Sequence, residues 1–308
     1  KKFKDDLLVI VFKQPVELAA VFTNSSTPSA PVLWDKKLYK KYLCKVLIVN
    51  SGNANAYTGK NGIASIKKYS TFASQIFNCK LSQVFVSSTG VIGEQLQPNP
   101  IIKKLKLINN IHPKNLIHAA KAIMTTDTYP KIAFETVTIN GRKIKIYGIA
   151  KGSGMIAPNM GTMLAYIFIE ASLTSNLLNI LLRKNIEDSF NSISVDGDMS
   201  TSDTVAIFSV RNTQLGNIEK KSQIFKLISI SLKKVMTKLA QQIVCDGEGI
   251  SKLIEVNISN AKKYENFPSP PKKFPETPAG TPWSVLLVAV PSSKTAESWG
   301  RAPAMLTL

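Results

Sequence analysis

Histidine is almost absent from this chain: His112 and His118 are the only two in 308 residues, both in ordinary surroundings. That leaves little material for a nucleophile activated by a neighbouring imidazole. Cysteine is also scarce. Cys44, Cys79 and Cys245 stand far apart with no Cys-x-x-Cys pair, which supports neither a zinc site nor a redox motif and fits reduced thiols in the cytoplasm. The longest apolar runs, Leu7–Phe12 and Met163–Ile169, fall far short of the roughly 20 residues that span a bilayer, so no membrane segment is expected. The chain opens Lys1-Lys2-Phe3, and no secretory signal is visible. Acidic residues are few: Lys+Arg 39 against Asp+Glu 20 gives a net charge of +19. The lysines are scattered singly or in pairs such as Lys36-Lys37, Lys67-Lys68 and Lys233-Lys234, which reads as solvated surface and not as a nucleic-acid stripe.

What is present is a globular composition, 44% hydrophobic, in a chain long enough for one large or two ordinary domains. Short β-branched runs alternate with helical patterns, which argues for a mixed α/β fold. Strands are expected at Leu7–Phe12, Lys45–Asn50 and Val84–Ser87. A helix is expected after Gly62, carried by Ile63, Ile66, Ala73, Ile76 and Phe77, and two short ones after Pro100 and Pro113. Glu135–Ile139 and Arg142–Ile146 flank Asn140-Gly141, the signature of a type I′ hairpin. Met163–Glu170 reads as a buried strand with Thr162 at its start, Thr174–Phe190 and Ile224–Val244 as helices, and Ile254–Ile258 as a further strand.

Composition changes near Asn266. Residues 266–308 hold eight of the 16 prolines and no isoleucine, which predicts a loosely structured tail with one strand at Val285–Val290. The readings of that tail are a linker, or the loss or replacement of a natural C-terminal part.

Several motifs carry chemistry or its imitation. Lys151-Gly152-Ser153-Gly154 is not a P-loop, because it lacks the closing Gly-Lys-Ser/Thr and the following helix. Asp196-Gly197-Asp198-Met199-Ser200 begins like a calcium loop but has no glycine at the sixth place and Ile207 where the bidentate glutamate belongs, so no metal is expected. The polar cluster from Asp196 to Asp203 is read as a capped turn or as packing beside a reactive site. Asn50-Ser51-Gly52-Asn53-Ala54-Asn55 and Ser87-Ser88-Thr89-Gly90 each follow a strand, and together can present N–H groups and hydroxyls to an oxyanion. Thr125-Thr126-Asp127-Thr128 adds a third hydroxyl-rich loop. With imidazole scarce, the most informative residue is Thr162, in Lys151-Gly152-Ser153-Gly154-Met155-Ile156-Ala157-Pro158-Asn159-Met160-Gly161-Thr162-Met163-Leu164. Once the bond before a threonine is cut, its own α-amine, with an ordinary pKa near 8, can serve as base for its hydroxyl.

Val49–Ala56, Ser88–Gly93, Ala122–Thr128, Ala150–Leu164, Ser194–Thr204 and Asp246-Gly247-Glu248-Gly249 together resemble the successive motifs of the bifunctional glutamate N-acetyltransferase (ornithine acetyltransferase) family of arginine biosynthesis. They occur in family order over residues 6–262.

The resemblance implies a layered α-β-β-α nucleophile domain of the DmpA/ornithine-acetyltransferase type over residues 1–250. It also implies a truncated or divergent small C-terminal domain over 251–308, family-like only to about residue 262. It implies self-cleavage between Gly161 and Thr162 into an α chain, 1–161, and a β chain from 162; Gly161 stands where the family most often has alanine. Thr162 would then move an acetyl group by a ping-pong route from N2-acetylornithine to glutamate. No cofactor is expected, although acetyl-CoA is an acetyl donor for bifunctional members. By the same resemblance, Thr89 and the N–H of Gly90 form the oxyanion hole, while Thr125, Lys151, Thr162 and Glu248 contact substrate. These roles suit the chemistry, because Lys151 can pair with an α-carboxylate and Glu248 with the amine of ornithine. The expected partners are these small molecules and the chain's own cleaved pieces in an α2β2 heterotetramer, with no nucleic acid and no membrane. The alternatives are a related N-terminal-nucleophile amidase or aminopeptidase, or a truncated inactive member.

Overall fold

The structure is a computed structural model and describes residues 6–39, 43–108, 115–156, 163–210, 215, 218–220, 222–256 and 286–291. Its organising element is the first strand, β1 (Leu7–Phe22), which runs well past the expected end at Phe12. Pro15 has no N–H to give to a ladder, and it falls in an irregularity between Val11 and Val16 where pairing with β2 (Leu43–Asn53) changes register. From Leu7 to Glu17, β1 lies antiparallel to β2; from Leu18 to Phe22 it lies antiparallel to β8 (Thr204–Ser209). One bent strand therefore serves two sheets. The first adds β3 (Val84–Val91) beyond β2. The second continues from β8 through β6 (Leu164–Ile169) and β5 (Arg142–Lys151) to β4 (Lys131–Ile139).

Side-chain alternation shows how the sheets stack. Leu47, Val49 and Phe85 of the first sheet share a core with Leu18, Ala20, Ile149, Leu164, Tyr166, Phe168, Ala206 and Phe208 of the second. The intervening residues point outward. Val46, Ile48, Val84 and Val86 meet helix α2 (Gly59–Ile76) through Ile66, Tyr69 and Ala73, and α3 (Pro98–Lys106) through Ile101 and Leu105. On the far side Ala165, Ile167, Ile169, Val205 and Ile207 meet α5 (Ser175–Ile186) and α6 (Gln223–Val244). Helix, sheet, sheet and helix form four layers, as the resemblance implied. The two sheets are joined by Phe12 of the first, whose ring lies 5.3 Å from Phe208 and 6.4 Å from Phe168 of the second; Phe168 and Phe208, neighbours on β6 and β8, stack at 5.4 Å.

Most expected elements are present with shifted ends. The β4–β5 hairpin turns on Asn140 and Gly141, both at positive φ, +49° and +74°. Helix α3 starts at Pro98 and not after Pro100; α4 (Leu116–Ala122) is capped by the Asn115 side chain, and Pro113 lies outside the described residues. Helix α5 is capped by Thr174 but stops at Ile186, short of the expected Phe190. There the Ser189 hydroxyl donates to the Asn185 carbonyl, a local bond that competes with helix continuation. Three of the strands and helices were not anticipated: α1 (Ala30–Leu38), with proline in its first turn, the two-residue β7 (Ile193–Ser194), and β8, whose residues are buried on both faces and so show no alternation. Strand β10 (Leu286–Pro291) pairs with β9 (Ile250–Val256) on one side and β7 on the other in a separate three-stranded sheet. The β10 strand matches the one expected in the tail; the rest of that tail lies outside the described residues.

Replacing Phe168 by alanine should cost about 3–5 kcal/mol in urea unfolding, because its ring fills the inter-sheet core. The same change at Phe134, 72% exposed, should stay within about 0.5 kcal/mol.

Candidate active site

Parallel pairing of β2 with β3 sets Ser51 opposite Thr89 and Gly52 opposite Gly90, so these residues, expected in loops, lie side by side at the end of the two strands' ladder. Gly90 has φ +130°, and a Cβ there would lie 2.3 Å from the Gly52 carbonyl carbon. Only glycine allows that approach. Across from these strand ends β5 ends at Lys151, and the loop after α6 carries Glu248. Thr89, Gly90, Thr125, Lys151 and Glu248 all line one cavity of about 730 Å³, together with Ser51, Asp196 and Ser202. Such a volume suits a small-molecule substrate.

Lys151 is 3% exposed and is the hub of the cavity wall. Its ammonium donates to Thr125 Oγ1 at 2.8 Å and to Thr89 Oγ1 at 3.1 Å, and lies 3.8 Å from Asp127 Oδ2. The cation is thus held by two hydroxyls and a carboxylate. It remains close enough to the cavity to meet a substrate carboxylate. Glu248 lies against the segment that follows Lys151: a Cβ at Gly154 would meet its Oε2 at 3.0 Å. The cavity therefore offers a cation, an anion and hydroxyl donors to one ligand.

Beneath this wall lies a buried ionic group that the sequence reading did not find. Lys131, fully buried in β4, donates to Asp127 Oδ1 at 2.7 Å and to Asp246 Oδ2 at 2.5 Å. Asp127 also accepts from the N–H groups of Gly152 (2.7 Å) and Thr125 (3.0 Å), while Asp246 accepts from the N–H and hydroxyl of Thr128. Ser153 Oγ donates to the Asp246 carbonyl at 2.7 Å, and Glu248 N–H to the Ser153 carbonyl at 2.9 Å. The loops bearing Thr125, Lys151 and Glu248 are therefore pinned to one core. Burial opposes the charged form of Asp127, but the ammoniums of Lys151 and Lys131 and the Gly152 N–H outweigh it and hold its carboxyl below its ordinary range. Asp127 and Asp246 stood inside noted motifs. Lys131, one cation among 39, carried no signal.

Gly161 and Thr162 lie outside the described residues. Met163, bonded to Thr162, is buried at the start of β6, where Leu164 pairs with Lys151 on one side and Thr204 on the other. The segment that resembled a calcium loop forms the expected turn, with Asp198 N–H donating to Asp196 Oδ1 at 3.1 Å, and lines the cavity with Asp196, Ser200, Thr201 and Ser202. His118 is on α4, paired with Asn115 and absent from the cavity lining; His112 lies outside the described residues.

Lys131→Met should lose about 3–5 kcal/mol in denaturant unfolding at neutral pH, since it strands two buried carboxylates. Adding Asp246→Asn should recover part of the loss. The depressed Asp127 carboxyl contributes stability that is complete above its unfolded value of about 4 and lost as pH falls through the lower folded value. Asp127→Asn should flatten that acid limb in a series of unfolding midpoints.

Residues 1–268 match the ArgJ family. Over 266 residues the chain is 41% identical to the arginine biosynthesis bifunctional protein ArgJ of Bradyrhizobium diazoefficiens, a match covering 85% of this chain and 64% of that protein. It is 38% identical to the Brucella suis protein of the same name, over 97% of this chain and 72% of that one. It is 41% identical to the mitochondrial ArgJ of Heterostelium pallidum, over 85% and 61%. The chain thus spans a little under two thirds of the first of these relatives. Among solved structures, an ArgJ from Bacillus halodurans matches with 34% identity and a TM-score of 0.48, over 52% of this chain and 84% of that one. On the extent of the sequence match, this chain belongs to the ArgJ family.

Proposed function

We propose that this chain is the self-cleaving, threonine-dependent part of an acetyltransferase that carries the acetyl group of N2-acetylornithine to glutamate. The observation that carries the reading is convergence. Thr89, Gly90, Thr125, Lys151 and Glu248, spread over 160 positions of sequence from 89 to 248, line a single cavity beside the strand that begins just after Thr162.

Chemistry follows from that set. Attack of Thr162 Oγ on the Gly161 carbonyl carbon moves the acyl group from nitrogen to oxygen and frees the α-amine. Water then cleaves the ester, leaving a carboxylate on Gly161 and an unblocked Thr162. That amine, as base, takes the hydroxyl proton when Oγ attacks the acetyl carbonyl of N2-acetylornithine. Charge gathers on the carbonyl oxygen, where the Thr89 hydroxyl and Gly90 N–H stabilise it. Collapse breaks the amide bond, the α-nitrogen takes the proton, and ornithine leaves. Glutamate then attacks the acetyl-threonine ester through its amine and leaves as acetylglutamate. Lys151 pairs with the α-carboxylate shared by both amino acids, and Glu248 with the side-chain ammonium of ornithine. Acetyl-CoA is a further donor for the same ester. The active form is an α2β2 assembly of cleaved chains in the cytoplasm, with residues 1–161 as α and the β piece from 162; residues 1–250 supply the nucleophile domain.

On a denaturing gel the wild-type chain should give two pieces whose junction precedes Thr162, and Thr162→Ala a single piece. Cleaved protein given N2-acetylornithine and glutamate should release acetylglutamate. Free acetate in its place would make the chain an amidase. Thr89→Ala should lower kcat by about 10²–10³.

A further inference from the structure

The polar run from Val195 to Thr204 does more than line the cavity. At one end of the 157–162 segment, Ile156 N–H donates to Asp196 Oδ1 at 2.9 Å, Met155 N–H to Asp196 Oδ2 at 2.5 Å, and Val195 N–H to the Ile156 carbonyl at 2.8 Å. At the other end Met163 N–H donates to Asp203 Oδ1 at 2.8 Å, and Thr204 N–H to the Met163 carbonyl at 3.1 Å. The two ends are held in the same way, each by one aspartate on the N–H and one backbone amide on the carbonyl. Both aspartates come from one loop of the chain. That loop is itself fixed to the end of β1, since Thr23 Oγ1 donates to the Ser200 carbonyl at 2.7 Å and Thr23 N–H to the Asp203 carbonyl at 3.0 Å.

We propose that residues 195–204 form a two-point clamp that holds both flanks of the 157–162 segment for cleavage before Thr162, with Asp196 and Asp203 as its positioning residues. The inference rests on the proposed self-cleavage and adds to it the groups that fix the reacting bond. An N→O shift is rapid only when hydroxyl and carbonyl carbon are held in a near-attack arrangement, and slippage of either flank lowers that effective concentration. After cleavage Asp203 keeps a second task. Thr162 becomes a chain terminus, and its neighbour Met163 stays tied, which opposes fraying of the new end.

Asp203 bears the mark of a group kept for position and not for fold energy. It is fully buried, and its Oδ2 has no hydrogen-bond partner among the described residues. A buried carboxyl left half-satisfied is costly, so a simple strand start would be better served by a smaller residue. Burial pushes its carboxyl well above the usual carboxylate range, against the weaker pull of the Met163 N–H, the nearby Ser200 hydroxyl and the Lys151 ammonium. Asparagine has the same shape and keeps a carbonyl acceptor for the Met163 N–H.

The test uses Asp203→Ala and Asp203→Asn in two backgrounds. In the uncleavable Thr162→Ala chain, Asp203→Ala should speed amide hydrogen exchange at Met163 by about tenfold or more, and Asp203→Asn should restore protection. In the wild-type background, appearance of the two pieces should slow by about tenfold or more with Asp203→Ala and stay within about threefold with Asp203→Asn. Asp196→Ala should slow cleavage while raising exchange at Met155 and Ile156. Unchanged exchange and unchanged cleavage in Asp203→Ala would overturn the clamp, and so would a folded Asp203→Asn that cleaves as slowly as the alanine variant. If Asp203→Ala fails to fold, the asparagine variant and Asp196→Ala decide the matter alone. A wild-type chain that never splits before Thr162 would refute the proposed activity instead, with exchange still reading the clamp.

Discussion

The arrangement of this molecule hangs on a lysine that water does not reach. Lys131 sits between Asp127 and Asp246, and the three charges anchor the segments that carry Thr125, Lys151 and Glu248. Buried ion pairs are weak sources of net stability, because desolvation cancels much of their attraction. Their strength lies in geometry: neither carboxylate can move without leaving a charge unpaired, so Thr125, Gly152 and Thr128 are held by bonds that tolerate no alternative. Lys151 then extends the same network to the surface of the cavity, where it meets Thr125 and Thr89.

Two sheets sharing one strand make this placement possible. Because β1 bends at Pro15 and passes from the first sheet to the second, the ends of β2 and β3 come to face the ends of β5 and β6. Thr89 and Gly90 ride on the first sheet and Lys151 on the second. Neither sheet alone holds a site. Between them Phe12 of the first packs on Phe168 and Phe208 of the second, which links core packing to the spacing of the two sheets.

What could be read from residues alone divides along physical lines. Helix α6 and the Asn140-Gly141 hairpin were legible because amphipathic period and turn chemistry are local signals. Strand β8 was not, since both of its faces are buried and no alternation survives. The second half of β1 was hidden by Pro15, whose usual meaning is a strand end. Cavity residues such as Thr89 and Glu248 were reachable through motif order, whereas Lys131 was invisible: a buried lysine is recognised only by its partners, and those lie 4 and 115 positions away. The segment from Asp196 to Asp203 was seen as polar but not as paired with the flanks of 157–162, because that pairing exists only once β6 and β8 lie parallel.

The central claim is that Thr162 becomes a free terminal residue and carries the acetyl group. Its most direct test is mass spectrometry of the cleaved protein after brief mixing with N2-acetylornithine and no glutamate. The account predicts one acetyl group on the peptide that begins at Thr162, removed when glutamate is added. An unmodified Thr162, in protein that nonetheless forms acetylglutamate, would contradict it.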